Sequence, residues 1–261
     1  MSIFVVGDIH GSLDIEKLGA KHFDARGLTR KDYVIICGDF GLIFQPEGRD
    51  MREEQWWLSW LNSKPWTTLW IDGNHENFDR IEAMEESCWH GGRVQYTAEH
   101  IIHLMRGQVF DIDGMSFFTM GGASSTDREW RVEGESWWPQ EIPSADDEAE
   151  AVRNLDACGW QVDYVLTHCA PTSLLKKLDA PLSLLEPDAA TDMLQRLRVR
   201  LSYRAWFFGH YHVDKTDGKH FCLYNRMLDL DELELEEKPR LLMRGISRGC
   251  SRTLLPVVGR A

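Results

Sequence analysis

The sequence predicts an α/β fold in which two packed, mostly mixed β-sheets are flanked by helices. Two observations carry that expectation. Short apolar runs, β-branched or aromatic, end in polar or glycine-bearing clusters: Ile3–Val6 before Gly7-Asp8, Tyr33–Cys37 before Gly38-Asp39, and Thr68–Ile71 before Asp72-Gly73-Asn74-His75. They recur at roughly 30 to 35 residues, the length of a unit that joins two parallel strands through a crossover. The middle of the chain then changes character. Ile101–Leu104, Gln108–Ile112 and Met115–Met120 read as consecutive strands, with Asp113-Gly114 supplying a tight hairpin turn.

The remaining elements follow in order. Leu13, Leu18 and Phe23 space a first helix against the sheet, with Gly27 near its stop. Trp56, Trp57, Trp60 and Leu61 form a stripe on a second helix, and a third runs from Asn77 towards Glu86. Tyr164–Leu166 and Ala205–Phe208 are further strands, ending at Thr167-His168 and Gly209-His210. Pro187 through Tyr203 carries Met193, Leu194, Leu197 and Leu201 on one helical face. His220–Asn225 and Leu241–Met243 are expected as late strands, and the acidic run Asp231–Glu237 as a solvated face or loop. Segment 121–150 is a long polar excursion, and loops of that length are commonly functional. No repeat or linker divides the chain, so residues 1–261 are expected as a single domain with a C-terminal extension of its second sheet.

Composition narrows the partners. Lysine and arginine number 29 against 42 aspartates and glutamates, a formal charge of -13, which disfavours long nucleic acid as a ligand. No window approaches roughly 18 uninterrupted apolar residues, and no basic leader opens the chain, so no membrane association is expected. The six cysteines at 37, 88, 158, 169, 222 and 250 form no CxxC pair. Reduced thiols and a cytoplasmic location are the simplest reading.

The expected strand ends carry Asp8, His10, Asp39, Asn74, His75, His168, His210 and His212. Any one of these alone is most simply structural. Open α/β sheets, however, gather the carboxyl ends of their strands into one crevice, so the set converges. Carboxylate, imidazole and amide oxygen suit Mn, Fe or Zn, and the lack of clustered thiolates argues against a cysteine zinc site. Asp8 and His10, like His210 and His212, are two residues apart and would share a face of a strand. Two such pairs with Asp39 between them point to two metals.

These motifs, in this order, closely resemble the calcineurin-like metallophosphoesterase superfamily: Gly7-Asp8-Ile9-His10, Gly38-Asp39, Gly73-Asn74-His75, Thr167-His168 and Gly209-His210-Tyr211-His212. The resemblance spans residue 3 to about 212. It implies the four-layer α/β/β/α sandwich of that family, and metal-dependent hydrolysis of a phosphate ester by a metal-bridging hydroxide. It places Asp8, His10 and His212 around one metal and Asn74, His168 and His210 around the other, with Asp39 catalytic and bridging both. His75 is then the proton donor near the leaving oxygen rather than a ligand. Two divalent or mixed-valence transition ions are implied, Mn first, with Fe, Zn or Ni as alternatives.

The stretch Gly38-Asp39-Phe40-Gly41 lacks the arginine that protein serine/threonine phosphatases carry after the second Gly-Asp, so the chain resembles the superfamily and not that branch. The expected substrate is a small phosphomonoester or nucleotide. A phosphodiesterase or nuclease using the same centre, and a non-catalytic metal-binding scaffold, stay open as alternatives. Within the excursion, Arg128 and Arg131 are spaced to pair with phosphate or to line a solvated face, and Trp137 and Trp138 to stack on a base or to anchor the loop. No obligatory protein partner is expected.

Overall fold

The computed structural model describes residues 1–46 and 48–233. β1 (Ile3–Val6), β2 (Tyr33–Cys37) and β3 (Thr67–Ile71) are parallel neighbours, with Val5 opposite Ile35 and Ile35 opposite Leu69. Across this first, 7-stranded sheet the order is Leu228–Asp229 (β13), β1, β2, β3, Ile101–Leu104 (β6), Gly92–Ala98 (β5) and Glu86–Trp89 (β4). The 6-stranded second sheet runs Lys215–Asp217 (β11), His220–Cys222 (β12), Ala205–Phe208 (β10), Tyr164–Thr167 (β9), Met115–Met120 (β8) and Val109–Ile112 (β7). Both sheets are mixed. β8, β9, β10 and β12 are parallel, and the β7–β8 hairpin turns on Asp113 and Gly114, both at positive φ as expected.

Alternation along the strands sets the layers. Val5, Ile35, Leu69 and Ile71 pack between the sheets against Phe117, Leu166 and Phe207. Their neighbours Val6, Ile36 and Trp70 face outward onto Leu61 of α1 (Arg52–Asn62) and Phe78 of α2 (Phe78–Glu82). On the far side Val165, Trp206 and Phe208 meet Leu155 of α3 (Ala145–Ala157), Leu174 of α4 (Thr172–Leu175), and Met193 and Leu197 of α5 (Ala189–Arg200). Strands buried on both faces read as unbroken apolar runs, which is why they stand out in the sequence. The result is helix, sheet, sheet, helix.

Several elements differ from expectation. The first helix is replaced by two short 3₁₀ turns, Gly11–Leu13 and Ile15–Leu18, and Leu13 is 81% exposed while Leu18 and Phe23 are buried. The backbone there is committed elsewhere: the amides of Ile9 and His10 both donate to the Asp39 carbonyl, and Gly11 to that of Phe40. The tryptophan stripe of α1 is only partly used, with Leu61 buried and Trp56 58% exposed. The third helix ends at Glu82, four residues early, because Glu86–Trp89 pairs antiparallel with β5. The excursion stops at residue 144, where the Ser144 side chain accepts from the Asp147 amide and Asp147 returns a bond to the Ser144 amide. This capping box starts α3, whose Ala151 and Leu155 reach the core.

Cys37, Cys158, Cys169 and Cys222 are free thiols. Leu241–Met243, residues 234–237 of the acidic run and the last part of the expected sheet extension lie outside the described residues. Among the described residues no helix is long and apolar enough to cross a membrane.

Candidate metal centre

The carboxyl ends of parallel strands from both sheets meet at one place. Asp8 follows β1, Asp39 follows β2, Asn74 and His75 follow β3, His168 follows β9, and His210 and His212 follow β10. His10 and His212 do not lie on strands, so the rule that alternate strand residues share a face does not apply to the two pairs. They are aimed by turns. Among the described residues His10, Asp39, His210 and His212 have φ of 42°, 46°, 68° and 52°. Left-handed backbone at a non-glycine residue costs of order 1 kcal/mol or more, and persists only where surrounding contacts over-determine it. Here the contacts are mutual. A Cβ on Gly38 would sit 2.1 Å from Nδ1 of His168, and one on Gly209 would sit 2.0 Å from Oδ1 of Asp8. Gly38 and Gly209, each directly before a residue of the cluster, clear space for a side chain from another motif.

Ligand atoms of Asp8, His10, Asp39 and His212 all lie within 4.8 Å of one another. His212 Nε2 is 3.3 Å from Asp8 Oδ2, and His10 Nε2 is 3.3 Å from Asp39 Oδ2. The other oxygen of Asp39 faces a second group: His168 Nε2 lies 3.2 Å from Asp39 Oδ1 and 3.1 Å from Asn74 Oδ1, which is itself 3.0 Å from His210 Nδ1. Asp39 therefore divides its carboxylate between the two groups.

The donor set fits a pair of transition cations. His10 Nδ1 lies 2.8 Å from the Asp14 carboxylate, and His168 Nδ1 lies 2.9 Å from the carbonyl of Cys37. Both Nδ1 atoms donate to those acceptors, which leaves each Nε2 as the atom that faces Asp39 and that a cation would take in place of its proton. Imidazole ligands are commonly oriented through the opposite nitrogen in this way. Charge points the same way. Burial opposes ionisation of Asp39, yet His168, His75 and His10 hold its carboxyl well below the usual range. Burial would lower the proton affinity of His10 and His168, but Asp39 and Asp8 raise it to about 9 and about 10. Burial and then His168 push His210 down to about 4, so its imidazole is neutral. Buried carboxylates that draw positive charge so strongly are well matched to divalent ions.

Supports absent from the sequence reading surround these side chains. Buried Glu76, directly after His75, accepts the amides of Phe40 at 2.7 Å, Gly41 at 3.1 Å and Gly73 at 3.4 Å, tying the Asp39 loop to the Asn74 loop. Asp72 is held by Arg106 at 2.6 Å and His103 at 3.3 Å. Glu76 was within reach of sequence reasoning as the neighbour of Asn74-His75, whereas Asp14, Asp72 and Arg106 carry no motif.

A cavity of about 150 Å³ opens onto Asp39, Asn74, His75, His210 and His212, and the excursion walls it with Thr126, Asp127 and Arg131. A larger cleft of about 470 Å³, between Phe23, Lys64 and Trp66, contains none of these residues. Arg131 Nη1 stands 3.2 Å from His75 Nδ1. Burial, helped by Arg131, His10 and His168, lowers the proton affinity of His75 against the opposite pull of Asp39. Arg128 does not line the cavity; it pairs with buried Glu141 at 2.7 Å. Trp138 is buried in the core with its Nε1 donating to Asp79 at 2.9 Å, the place of an anchor, and Trp137 is half-buried with the Arg128 guanidinium 5.3 Å from its ring.

Residues 1–214 match the calcineurin-like phosphoesterase family. No curated protein matches the chain. Among solved structures, phosphopantetheinyl hydrolase (PptH) from Mycobacterium tuberculosis is 16% identical, over 85% of this chain and 88% of that one, at a TM-score of 0.38. A Staphylococcus aureus protein provisionally named a 5'-nucleotidase is 14% identical over 85% of this chain at 0.43, and this chain spans only 48% of it. A Saccharomyces cerevisiae protein serine/threonine phosphatase is 13% identical over 86% of this chain and 67% of that one, at 0.30. The strand-end Asp and His cluster, the two-sheet sandwich that carries it, and a family match over most of the length lead to one conclusion: the chain belongs to the calcineurin-like phosphoesterase family and is a metal-dependent phosphoesterase.

Proposed function

We propose that the protein hydrolyses a small phosphomonoester or a nucleotide-type substrate. In this reading Asp8, His10 and His212 hold one ion, Asn74, His168 and His210 hold the other, and Asp39 is shared; Mn is the first choice, with Fe, Zn or Ni as alternatives. Two divalent ions there supply Lewis acidity towards a phosphoryl group and lower the pKa of water. The chain's own residues do the rest. Arg131 reaches the cavity and offers a planar guanidinium to the outer phosphate oxygens. His75, on the same wall, is the donor to the leaving oxygen through its Nε2 hydrogen, since its Nδ1 accepts from the Arg131 guanidinium.

The observation that carries this reading is the placement of Arg131 beside His75 in a cavity of about 150 Å³, which suits a compact phosphoryl group. A net charge of -13 supports a small ligand over a polyanion. The test is turnover of protein loaded separately with Mn, Fe, Zn, Ni and Mg on phosphomonoesters, nucleotides, phosphodiesters and single-stranded DNA. Faster monoester or nucleotide turnover is expected. Preference for diesters or DNA would overturn the substrate class, and bound metal without any hydrolysis would favour a scaffold.

A further inference from the structure

An asparagine side chain can present either its oxygen or its nitrogen, and only the oxygen ligates a cation. Something must therefore decide which end of Asn74 faces His168 and His210. Its Nδ2 lies 3.1 Å from Oγ of Ser125, a buried residue of the excursion. The Ser125 hydroxyl in turn donates to Glu141 Oε2 at 2.7 Å, and the Ser125 amide donates to Glu141 Oε1 at 2.8 Å. A hydroxyl has one proton to give. With that proton committed to a carboxylate, Ser125 Oγ can only accept from Asn74, which forces the amide towards Ser125 and the carbonyl towards the two histidines. Glu141 is fully buried, and burial pushes its pKa up, but every partner of its carboxylate is a donor: the Ser125 amide and hydroxyl, and Arg128, which reaches Oε1 with Nε at 2.8 Å and Nη2 at 2.7 Å and pulls the other way.

We propose that Arg128, Glu141 and Ser125 are positioning residues that orient the Asn74 carbonyl for the second cation. The chain of donors runs one way, from guanidinium to carboxylate and from amide through hydroxyl to the same carboxylate. It gives Arg128 a role away from the cavity, and it makes the 121–144 excursion a supporting part of the centre rather than only its wall. Its partners lie outside the Asp and His motifs, on the turn before α3 and the start of the excursion. This inference rests on the two-metal reading above.

Mn binding to the full chain tests it, by calorimetry and by electron paramagnetic resonance, in which a coupled Mn pair and an isolated Mn ion differ. The wild type is expected to take two ions and show the coupled signal. Ser125→Ala, and Glu141→Gln, whose amide can donate to Ser125 and reverse the chain, should weaken the second ion by about 10- to 100-fold. The first ion should bind as before, giving an isolated signal, and Ser125→Thr should restore the pair. Folded variants that bind both ions as tightly as wild type overturn the inference. A wild type that binds fewer than two ions overturns the two-metal reading instead, and this inference with it. Should the buried variants lose their circular dichroism spectrum, Arg128→Met acts from the partly exposed end: weakening of the second ion alone supports the inference, and unchanged affinity refutes it.

Discussion

The Arg131 guanidinium stands 3.2 Å from Nδ1 of His75, at the mouth of the cavity that contains Asp39 and Asn74. The two side chains answer to different kinetic constants. Removing a charge-assisted contact to phosphate, as in Arg131→Met, is expected to raise KM by about 10- to 100-fold, since such bonds contribute about 1.5–3 kcal/mol. His75→Ala is expected to keep both metals and lower kcat by about 10²- to 10⁴-fold, most with poor leaving groups. Steady-state kinetics with a leaving-group series separates them. Unchanged kcat for His75→Ala on the poorest leaving group would remove the proton donor.

Asp39 offers one oxygen to His10 and the other to His168, so it is the residue both halves of the centre share. Asp39→Asn replaces one of these acceptors with a donor and removes the charge. Both ions should weaken together, by more than the about 10- to 100-fold typical of a residue that only orients a ligand. His212→Ala, by contrast, should weaken one ion alone. Metal content after dialysis checks this, and retention of one tight ion in Asp39→Asn would contradict a shared ligand.

The Asp and His residues of the cluster were legible because each sits one to four residues beyond an unbroken apolar run, and such runs survive only where both sheet faces are covered. Asp8 after Ile3–Val6 and His168 after Tyr164–Thr167 are legible for that reason. The residues that contact them from elsewhere in the chain are not, since nothing local marks them. Ser125 meets Asn74 across 51 residues of chain, and Arg106 meets Asp72 across 34. α3 was legible in principle from Ser144 and Asp147, but its acidic first turn blends into the polar excursion before it. The missing first helix has a different cause: apolar residues at helical spacing were present, yet the loop's amides bind the Asp39 and Phe40 carbonyls instead.

Asp72 and Arg106 make the buried ion pair that anchors the end of β3. Burial resists ionisation of Asp72, but Arg106 and His103 hold its carboxyl far below the ordinary value. A depressed folded-state pKa adds stability above the unfolded value of about 3.9, and that stability is lost as pH falls through the folded value. Asp72→Asn leaves Arg106 buried without its main partner and should cost about 3–5 kcal/mol at pH 7. Urea unfolding of the metal-free protein measures it. The gap between variant and wild type should narrow as the pH drops below about 3.9, where the unfolded wild-type chain takes up the proton that folded Asp72 still refuses, until the folded carboxyl is protonated as well. A gap that is constant with pH would assign the cost to packing.

Gly209 offers the sharpest steric test of the interlocked turns. Its Cβ position lies 2.0 Å from Asp8 Oδ1 and 3.1 Å from the Cys37 carbonyl oxygen, so an alanine there must displace the Asp8 carboxylate or the turn that carries His210. Asp8 is held by the amide of His210, the next residue, which donates to both its oxygens at 2.9 and 3.1 Å, and neither shift leaves the pair intact. Gly209→Ala should lose about 1–3 kcal/mol of stability from overpacking. It should also lose the ion held by Asp8 before the one held by Asn74, because Asp8 is the side chain directly struck. Thermal melts and metal titrations on the same sample report both. A variant that keeps wild-type affinity for both ions would show that the glycine serves the turn alone, and that the ligand spacing tolerates a methyl group at its centre.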